Sequence, residues 1–231
     1  MTSDFGVGSP YVAAMKAVLL AACPDARLLD VSHAIPPFDV RAGGFVLWAG
    51  TRDFAIGSVH LGVVDPGVGS RRRALALELD GSYYVGPDNG LFDFLRRRAR
   101  SARAVSLSRP TDAAPTFEGR DVFAPAAGRL AAGTALEELG AAAELGIVPQ
   151  AQPAVVWVDR FGNLVTDLDA PPERLLLNGV PVEVSARTYS EAPEGVPFWY
   201  VGSLGLIEIG LREGRADEAL GATAGTPLQV G

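Results

Sequence analysis

Residues 58–65 read SVHLGVVD, and residues 66–73 continue as PGVGSRRR. The first stretch is apolar and β-branched and stops at a turn that contains proline and glycine, which predicts a buried strand. Around it, other strand-like stretches alternate with helical ones. The predicted helices are 10–22, 39–52, 90–99 and 120–132, and the predicted strands are 26–31, 58–65, 74–80, 82–86 and 103–108. This alternation predicts an α/β layer structure with a mostly parallel sheet.

The pattern changes near residue 150. Residues 146–153, GIVPQAQP, are rich in proline and polar side chains and predict a linker. Turn residues then separate a series of short strand candidates: AVVWVD, NLVTDL, RLLLN, VPVEVSA, PFWYVG and GLIEIGL. The only helix candidate among them is 215–220. We therefore expect an α/β domain over 1–149 and a small β-barrel or sandwich over 153–231.

The composition excludes several classes of protein. Of the 231 residues, 48% are hydrophobic and 20% are charged, as in ordinary globular proteins. The net charge of −7 argues against a nucleic-acid partner or an anionic membrane surface. No signal peptide is recognisable and Cys23 is the single cysteine, so we expect a cytoplasmic protein. Cys23, His33 and His60 lack the spacing of a zinc site. We interpret both histidines as structural and expect neither a metal nor a cofactor.

Two polar segments contain candidate binding residues. In Ser3–Ser9 a GxG turn precedes a helix, and Asp4 could accept hydrogen bonds from two ribose hydroxyls. The alternative is that Ser9 simply caps the helix. In the second segment, Asp65 stands at the carboxyl end of a strand, where α/β sheets bind ligands, and Arg71–Arg73 follow it. The alternative there is a tight turn with exposed arginines.

Three further segments have a simpler interpretation beside a functional one. Gly86–Gly90 is typical of a turn that caps the next helix, and Asp121 at the end of Thr116–Asp121 could also be a helix cap. Val158–Asn163 could be a hairpin turn and nothing more. The arginine-rich stretch 96–103 is interpreted as a solvated helix end.

Taken together, these segments are far more specific than any one of them. In order, the chain contains SDFG, IPPFDVRAGG, VDPGVGSRRR, PDNGL, TFEGRDVFAP, VDRFGNLVT and GSLGLIEI. Over nearly its whole length it resembles the S-adenosylmethionine hydroxide adenosyltransferase family, or S-adenosylmethionine hydrolases, which are related to fluorinating and chlorinating enzymes. The resemblance implies an α/β domain, a C-terminal β-barrel domain and a homotrimer. It also implies that water attacks C5′ of S-adenosylmethionine, giving adenosine and methionine without a cofactor.

The resemblance implies roles for individual side chains. The implied substrate-binding residues are Asp4, Ser9, Phe38, Phe117, Asp159, Phe161, Asn163 and Ser203. Asp4 matches the carboxylate that holds the ribose hydroxyls, and Phe38 matches an aromatic wall near the ribose. Phe117 matches an aromatic residue beside the reacting carbon, and Ser203 a contact of the methionine carboxylate. Residues 159–163 match a segment that a neighbouring subunit supplies.

The hydrolases place an Asp–Arg–His set around the attacking water, and Asp65 and Arg72 match its first two members. Halogenating relatives carry a hydroxyl-bearing aromatic residue at the position of Asp65. A carboxylate beside the reaction centre would repel a halide, so Asp65 favours water as the nucleophile. A halide-using transferase therefore remains the less favoured enzyme.

Three departures from the family pattern affect these expectations. The family histidine falls at Glu118, the amine-binding aspartate falls at Ser9, and only three residues precede Asp4, where most of a central strand would be. We hypothesise that Asp65 stays charged and that Glu118 orients or deprotonates the attacking water. The alternative is that Glu118 points to solvent or pairs with Arg120. The changes at Glu118 and Ser9 also keep open a non-catalytic protein that binds S-adenosylmethionine or adenosine.

Overall fold

A computed structural model describes residues 1–148 and 152–231. The chain divides into two units, Met1–Val148 and Pro149–Gly231. The linker predicted over 146–153 lies partly outside the described residues, because 149–151 are not among them. Each unit has its own hydrophobic core.

The first unit contains a six-stranded sheet in the order β1-β2-β4-β3-β5-β6. The strands are β1 (Thr2–Ser3), β2 (Val59–Val63), β3 (Ala74–Leu79), β4 (Ser82–Pro87), β5 (Ala102–Leu107) and β6 (Gly140–Ala142). Strands β1, β2 and β4 are parallel, whereas β3 pairs antiparallel with β4 and β5, and β5 with β6. The sheet is therefore mixed, and the expectation of a mostly parallel sheet is wrong.

A tight turn explains the antiparallel half of this sheet. Asp80 and Gly81 connect β3 to β4 and both have positive φ angles, 49° and 85°. An Asp-Gly pair in this conformation is typical of the two-residue hairpin turn whose twist matches that of the strands. The hairpin predicted from the sequence thus forms, and it places an antiparallel pair inside the sheet.

The helices of the first unit agree with the predicted ones in position; the first has the predicted bounds and the other three are shorter. They are α1 (Pro10–Ala22), α2 (Val40–Thr51), α3 (Asp93–Arg96) and α4 (Ala124–Ala131), and a π-helical turn, Gly119–Phe123, precedes α4. Helix α1 begins where Ser9 Oγ accepts a hydrogen bond from the Tyr11 N–H and where Pro10 presets the first backbone angle. No helix in the described part of the chain is long and apolar enough to cross a membrane.

The strand predicted over 26–31 does not form. Strand β1 has only two residues, and its pairing on this side is limited to one bridge, Thr2–Ser32. Backbone bonds from Val31 to Met1 (2.8 Å) and from Ser3 to Ser32 (2.9 Å) hold the segment beside β1. An extended segment needs a partner of similar length to build a ladder, and β1 is too short to supply one.

The core of the first unit lies on both faces of the sheet. On one face Leu61 and Val63 of β2 pack in a cluster with Met15 of α1 and Phe123. On the other face Gly62 lies so close to α2 that an added Cβ would stand 3.2 Å from the Leu47 side chain. Helices therefore cover both faces, as the α/β interpretation predicts.

The second unit consists of β-strands and one short helix, α5 (Ala216–Leu220). Its strands are β7 (Val155–Val158), β8 (Leu164–Thr166), β9 (Leu175–Leu177), β10 (Val180–Pro181), β11 (Val184–Ser185), β12 (Pro197–Val201), β13 (Ile207–Leu211) and β14 (Leu228–Val230). They form a five-stranded sheet, β11-β12-β13-β8-β7, and a three-stranded sheet, β10-β9-β14. The strand β14 was not predicted.

The described strands of this unit do not close into the barrel that the resemblance implies. The two sheets are joined by an isolated bridge, Ala154–Pro227, rather than by a continuous ladder. Strands of two to five residues offer few pairing positions, and β7 is bulged between Val155 and Trp157. Side chains from both sheets and from α5 share one core, including Leu164, Leu177 and Ala216.

Candidate functional site

Two aspartates stand at the carboxyl ends of neighbouring parallel strands. Asp4 follows β1 directly, and Asp65 follows β2 by two residues. The register pairs Ser3 with Val63, so both strands end at the same edge of the sheet. This edge is where α/β sheets bind ligands.

A cavity of about 250 Å³ opens at this edge. Among its lining residues are five of the predicted site residues, namely Asp4, Phe38, Asp65, Phe117 and Glu118. The lining combines aromatic and aliphatic groups with a few carboxylates, which is typical of a small-molecule site. Ser9 is not in this lining. Its hydroxyl caps α1 instead, as the simpler interpretation predicts.

The acidic residues of the cavity share a guanidinium group. Arg72 Nε donates to Asp65 Oδ1 at 2.8 Å, and Arg72 Nη2 donates to Asp65 Oδ2, so this ion pair is bidentate. Arg72 Nη2 also donates to Glu118 Oε2 at 2.5 Å. The side chains of Asp65, Arg72 and Glu118 are 5%, 8% and 3% exposed. The structure thus brings together the three residues predicted to surround the attacking water.

A second guanidinium group, from Arg109, completes this cluster. Arg109 Nε donates to Glu118 Oε1 at 2.5 Å, and Arg109 Nη2 donates to the backbone carbonyl of Arg72 at 2.5 Å. Arg109 was not predicted as a site residue, because it follows β5 in a loop without a recognisable motif.

The surroundings of Arg72 favour the charged form of its guanidinium group. Burial disfavours the charged form of Arg72, but the hydrogen bonds and charges of Asp65 and Glu118 outweigh it and raise the pKa of Arg72 above its usual value. The guanidinium carbon of Arg72 also lies 5.2 Å from the centre of the Phe123 ring.

Glu118 is not a solvated side chain. The residue is 2% exposed, so the alternative in which it points to solvent is wrong. The alternative partner, Arg120, pairs with Asp121 instead, at 2.6 Å. Asp121 also accepts a hydrogen bond from the Ala114 N–H at 2.8 Å, which fixes the loop before the π-helical turn.

An aromatic cluster holds Phe117 in the cavity wall. Its ring lies edge-on to Tyr11 at 5.1 Å and to Phe5 at 5.9 Å between ring centres. Tyr11 and Phe5 were not predicted as site residues, although Phe5 belongs to the SDFG motif and Tyr11 lies two residues after the capping Ser9.

Residues of the PDNG segment, Pro87–Gly90, hold the backbone beside Asp65 and the side chain of Arg73. Asn89 Nδ2 donates to the carbonyl oxygen of Val64 at 2.9 Å, next to Asp65 in the chain. Asp88 pairs with Arg73, with 2.8 Å between Arg73 Nε and Asp88 Oδ2. The segment therefore anchors the loop that carries Asp65. It does not cap α3, whose N-cap is Phe92 with no side-chain capping hydrogen bond.

In the second unit, residues 159–163 form the turn between β7 and β8. Asp159 Oδ1 accepts hydrogen bonds from the N–H groups of Phe161 (2.8 Å) and Asn163 (2.9 Å). Asn163 Nδ2 donates to Asp159 Oδ2 at 2.8 Å. Phe161 is 76% exposed, so this turn presents an aromatic ring to the surroundings of the unit.

A chain of hydroxyl groups extends from this turn to the half-buried carboxyl group of Glu208. Tyr189 donates to Asn163 Oδ1, the hydroxyls of Tyr189 and Tyr200 lie 3.2 Å apart, and Tyr200 donates to Glu208 Oε2 at 2.7 Å. Burial raises the pKa of the Glu208 carboxyl and that of the Tyr200 hydroxyl above their usual values. None of these three residues was predicted.

Ser203 lies apart from that turn. It is exposed in the turn between β12 and β13. The register of β8 with β13, Leu164 opposite Ile209, puts the two turns at opposite ends of a short ladder. The structure of this unit therefore does not bring Ser203 together with residues 159–163.

The sequence matches two family models and several proteins of known activity. Residues 1–140 match the family model of the SAM hydroxide adenosyltransferase N-terminal domain, and residues 153–229 match that of the C-terminal domain. The chain is 42% identical to an (R)-S-adenosyl-L-methionine hydrolase of Thermus thermophilus, over 99% of this chain and 97% of the relative. It is 28% identical to a fluorinase of Actinoplanes, over 76% of this chain and 69% of that protein.

Two solved structures have a similar fold over nearly the whole chain. An uncharacterized conserved protein from Thermotoga maritima superposes with a TM-score of 0.88 at 28% identity, covering 99% of this chain and 98% of the other. A conserved hypothetical protein from Thermus thermophilus gives a TM-score of 0.83 at 40% identity, covering 99% and 97%.

Proposed function

The chain belongs to the SAM hydroxide adenosyltransferase family, and on this premise we propose that it hydrolyses (R)-S-adenosyl-L-methionine to adenosine and methionine. The observation that carries the proposal is the buried, bidentate ion pair between Arg72 and Asp65, whose carboxylate lines the cavity. This ion pair supports water as the nucleophile, because a fixed carboxylate accepts a hydrogen bond from water and repels a halide.

The reaction is a displacement at C5′ of the substrate. The oxygen of water forms a bond to C5′ while the bond from C5′ to sulfur breaks, and the sulfur keeps the electron pair as a neutral thioether. The attacking water loses one proton. No acid is needed for the leaving group, so the protein has to hold water in line with the bond that breaks and to accept or pass on the proton.

The charged cluster supports a division of these tasks. Asp65 is held by Arg72 and accepts a hydrogen bond from the water, which orients its lone pair toward C5′. The proton that the water loses passes along this hydrogen bond to Asp65 and from there to solvent. Both oxygens of Glu118 already accept hydrogen bonds from guanidinium groups, so its geometry favours holding the water over taking its proton. The carboxylates attract the positive sulfonium and so favour binding of the substrate. Because the sulfonium loses its charge in the reaction, removing it from bulk water, rather than this attraction, favours the transition state.

The remaining predicted residues are assigned to the substrate. Asp4 binds the ribose hydroxyls, Phe38 lies beside the ribose and Phe117 packs beside C5′. We propose that Asp159–Asn163 and Ser203 contact the adenine and methionine parts of a substrate held by a neighbouring subunit of a homotrimer. The exposed Phe161 ring supports this, because a large exposed apolar group often marks a contact surface.

Further parts of this proposal concern the domains and the location. Residues 1–149 and 153–231 act as the two substrate-binding domains, S-adenosylmethionine is the only small molecule required, and the cytoplasm is the site of action. Light scattering of the purified protein tests the trimer: a monomer with full activity would exclude it.

Product analysis separates the candidate functions. The protein is incubated with S-adenosylmethionine, with and without chloride, and the nucleosides are separated by chromatography. Adenosine as the only product supports hydrolysis, whereas 5′-chloroadenosine would identify a halide-using enzyme. Tight binding without any product would identify a binding protein, the function that the loss of the family histidine at Glu118 keeps open.

Two variants and one control test the residues. We expect Asp65→Asn to lower kcat by about 100-fold, as is common when a group that orients a reacting molecule is removed. Glu118→Gln should lower kcat by about 10-fold, since an amide can still hold water. The exposed Asp53→Asn is the control and should leave turnover unchanged. Unchanged turnover in Glu118→Gln would remove Glu118 from the mechanism.

A further inference from the structure

The loop after β5 supplies a guanidinium group to the charged cluster. Arg109 contacts Glu118 through two nitrogen atoms, Nε at 2.5 Å from Oε1 and Nη2 at 3.4 Å from Oε2. Its Nη2 also donates to the backbone carbonyl of Arg72 at 2.5 Å. Arg109 thus contacts both a carboxylate of the cluster and the backbone of the residue that bridges its two carboxylates.

The charge balance shows why this second guanidinium group matters. Asp65 and Glu118 are both buried, and Arg72 donates to both. Two carboxylates with one guanidinium would leave a buried negative charge without a partner, which is costly. Arg109 brings the cluster to two positive and two negative groups.

We propose that Arg109 is a positioning residue for hydrolysis, which holds the Glu118 carboxylate and the Arg72 backbone so that Asp65, Arg72 and Glu118 keep their relative geometry. The inference rests on the proposed function, because the positioned groups are those assigned to the water. Arg109 itself does not line the cavity and acts through Arg72 and Glu118.

The charged groups around Glu118 determine how the loss of Arg109 affects the ionisation of Glu118 and Asp65. Arg72 and Arg109 are in direct contact with it, and Asp65 shares Arg72. Asp4 lines the same cavity, and Arg120 is neutralised by its pair with the next residue. Without Arg109, two carboxylates share one cation, and carboxylates that share a site cannot both stay ionised easily.

Enzyme kinetics test the proposal with three variants. We expect Arg109→Gln to lower kcat by about 10- to 100-fold with KM within about threefold, since misplacing a group by about 1 Å costs this much. Its kcat should fall more steeply than that of the wild type as the pH is lowered, because two carboxylates then share one cation and one of them takes up a proton more easily. Arg109→Lys should recover part of kcat. The control, Arg103→Gln, removes exposed ion pairs with Glu78 and Glu137 and should behave as the wild type.

A second readout does not depend on turnover. The carboxyl carbon of Glu118, assigned by its absence in Glu118→Gln, is followed by ¹³C NMR during a pH titration of the folded wild type and of Arg109→Lys and Arg109→Gln. If Glu118 takes up its proton at a higher pH in Arg109→Gln than in the wild type, the inference is supported. This holds even if the wild type forms no adenosine, a result that would contradict only the proposed function. The inference is overturned if a folded Arg109→Gln has the same kcat, the same pH profile and the same Glu118 titration as the wild type. If Arg109→Gln does not fold, the same result in Arg109→Lys overturns it.

Discussion

The backbone N–H of Phe38 donates a 2.9 Å hydrogen bond to Oδ2 of Asp4. Phe38 has φ of +67°, a conformation that costs an aromatic residue about 1–3 kcal/mol and persists only where the surroundings hold it. The Phe38 ring is 70% exposed and lines the cavity. Asp4 therefore fixes the loop that carries Phe38 as well as facing the substrate.

Asp4→Asn tests this double role. The amide keeps an oxygen for the Phe38 N–H but loses the charge and replaces an acceptor with a donor, which weakens binding of a ribose diol. We expect KM for S-adenosylmethionine to rise about 10-fold or more, since hydrogen bonds to charged groups are worth about 1.5–3 kcal/mol. Isothermal calorimetry measures the affinity directly.

The neighbouring Asp39→Asn is the matched control for Asp4. Asp39 caps α2 by accepting a hydrogen bond from the Ala42 N–H at 2.9 Å, and asparagine is an equally good cap. An equal loss of affinity in both variants would show that loop charge in general, rather than Asp4, binds the substrate.

Tyr189→Phe tests whether the hydroxyl chain holds the second-unit turn. Removing the hydroxyl leaves Asn163 Oδ1 and the Tyr200 hydroxyl without this partner. We expect the free energy of unfolding to fall by about 1 kcal/mol and KM to rise about threefold to 10-fold with kcat nearly unchanged. Urea unfolding and steady-state kinetics measure these, with Tyr83→Phe in the first unit as control. A change in kcat alone would contradict a binding role for this turn.

Gly162→Ala tests the conformation of the same turn. Gly162 has φ of +86°, and an added Cβ would stand 2.5 Å from Asp217 Oδ1 and 2.8 Å from Arg215 Cβ. Gly205 has φ of +77° with nothing within 4 Å of such a Cβ, so Gly205→Ala reports the backbone cost alone. We expect Gly205→Ala to lose about 1 kcal/mol and Gly162→Ala about 2–3 kcal/mol of unfolding free energy. If both variants lose the same unfolding free energy, the Asp217 side chain moves aside without destabilising the protein.

The pH dependence of stability has one contribution from His60. This side chain is buried in β2, with ring centres 4.9 Å from Tyr84 and 5.5 Å from Phe54. Burial, and then the positive charge of the N-terminus, lowers its pKa from 6.5 to about 4. The folded state therefore keeps His60 neutral, while the unfolded chain takes up a proton below pH 6.5.

Unfolding at several pH values checks the sign of this effect. The contribution is fully present above pH 6.5 and is lost as the pH falls toward about 4, and it amounts to on the order of 3 kcal/mol. His60→Phe lacks the titrating group, so its unfolding free energy should depend less on pH than that of the wild type between pH 6.5 and 4. Parallel curves for the two proteins would contradict a depressed pKa.

Local signals in the sequence predicted several elements closely. Helix α1 has the predicted bounds, because Ser9 and Pro10 define its start within a few residues of chain. Asp65 could be chosen from its position after a predicted strand, and Asp4 from the GxG turn before a helix. The structure brings both to one edge of the sheet, because the ends of neighbouring parallel strands meet there. The predicted strand 26–31 failed because its pairing depended on a strand elsewhere in the chain, not on its own residues.

The sequence by itself determined the two-unit organisation, most helices and strands, and the family through motifs spread along the chain. Only the tertiary structure decided the mixed sheet, the open sheets of the second unit and the partners of Glu118. Glu118 meets Arg72 from 46 positions away, and Arg109 reaches both from a loop without a motif. Such contacts depend on how distant segments pack, and no local pattern of residues encodes a charge balance assembled from three separate loops.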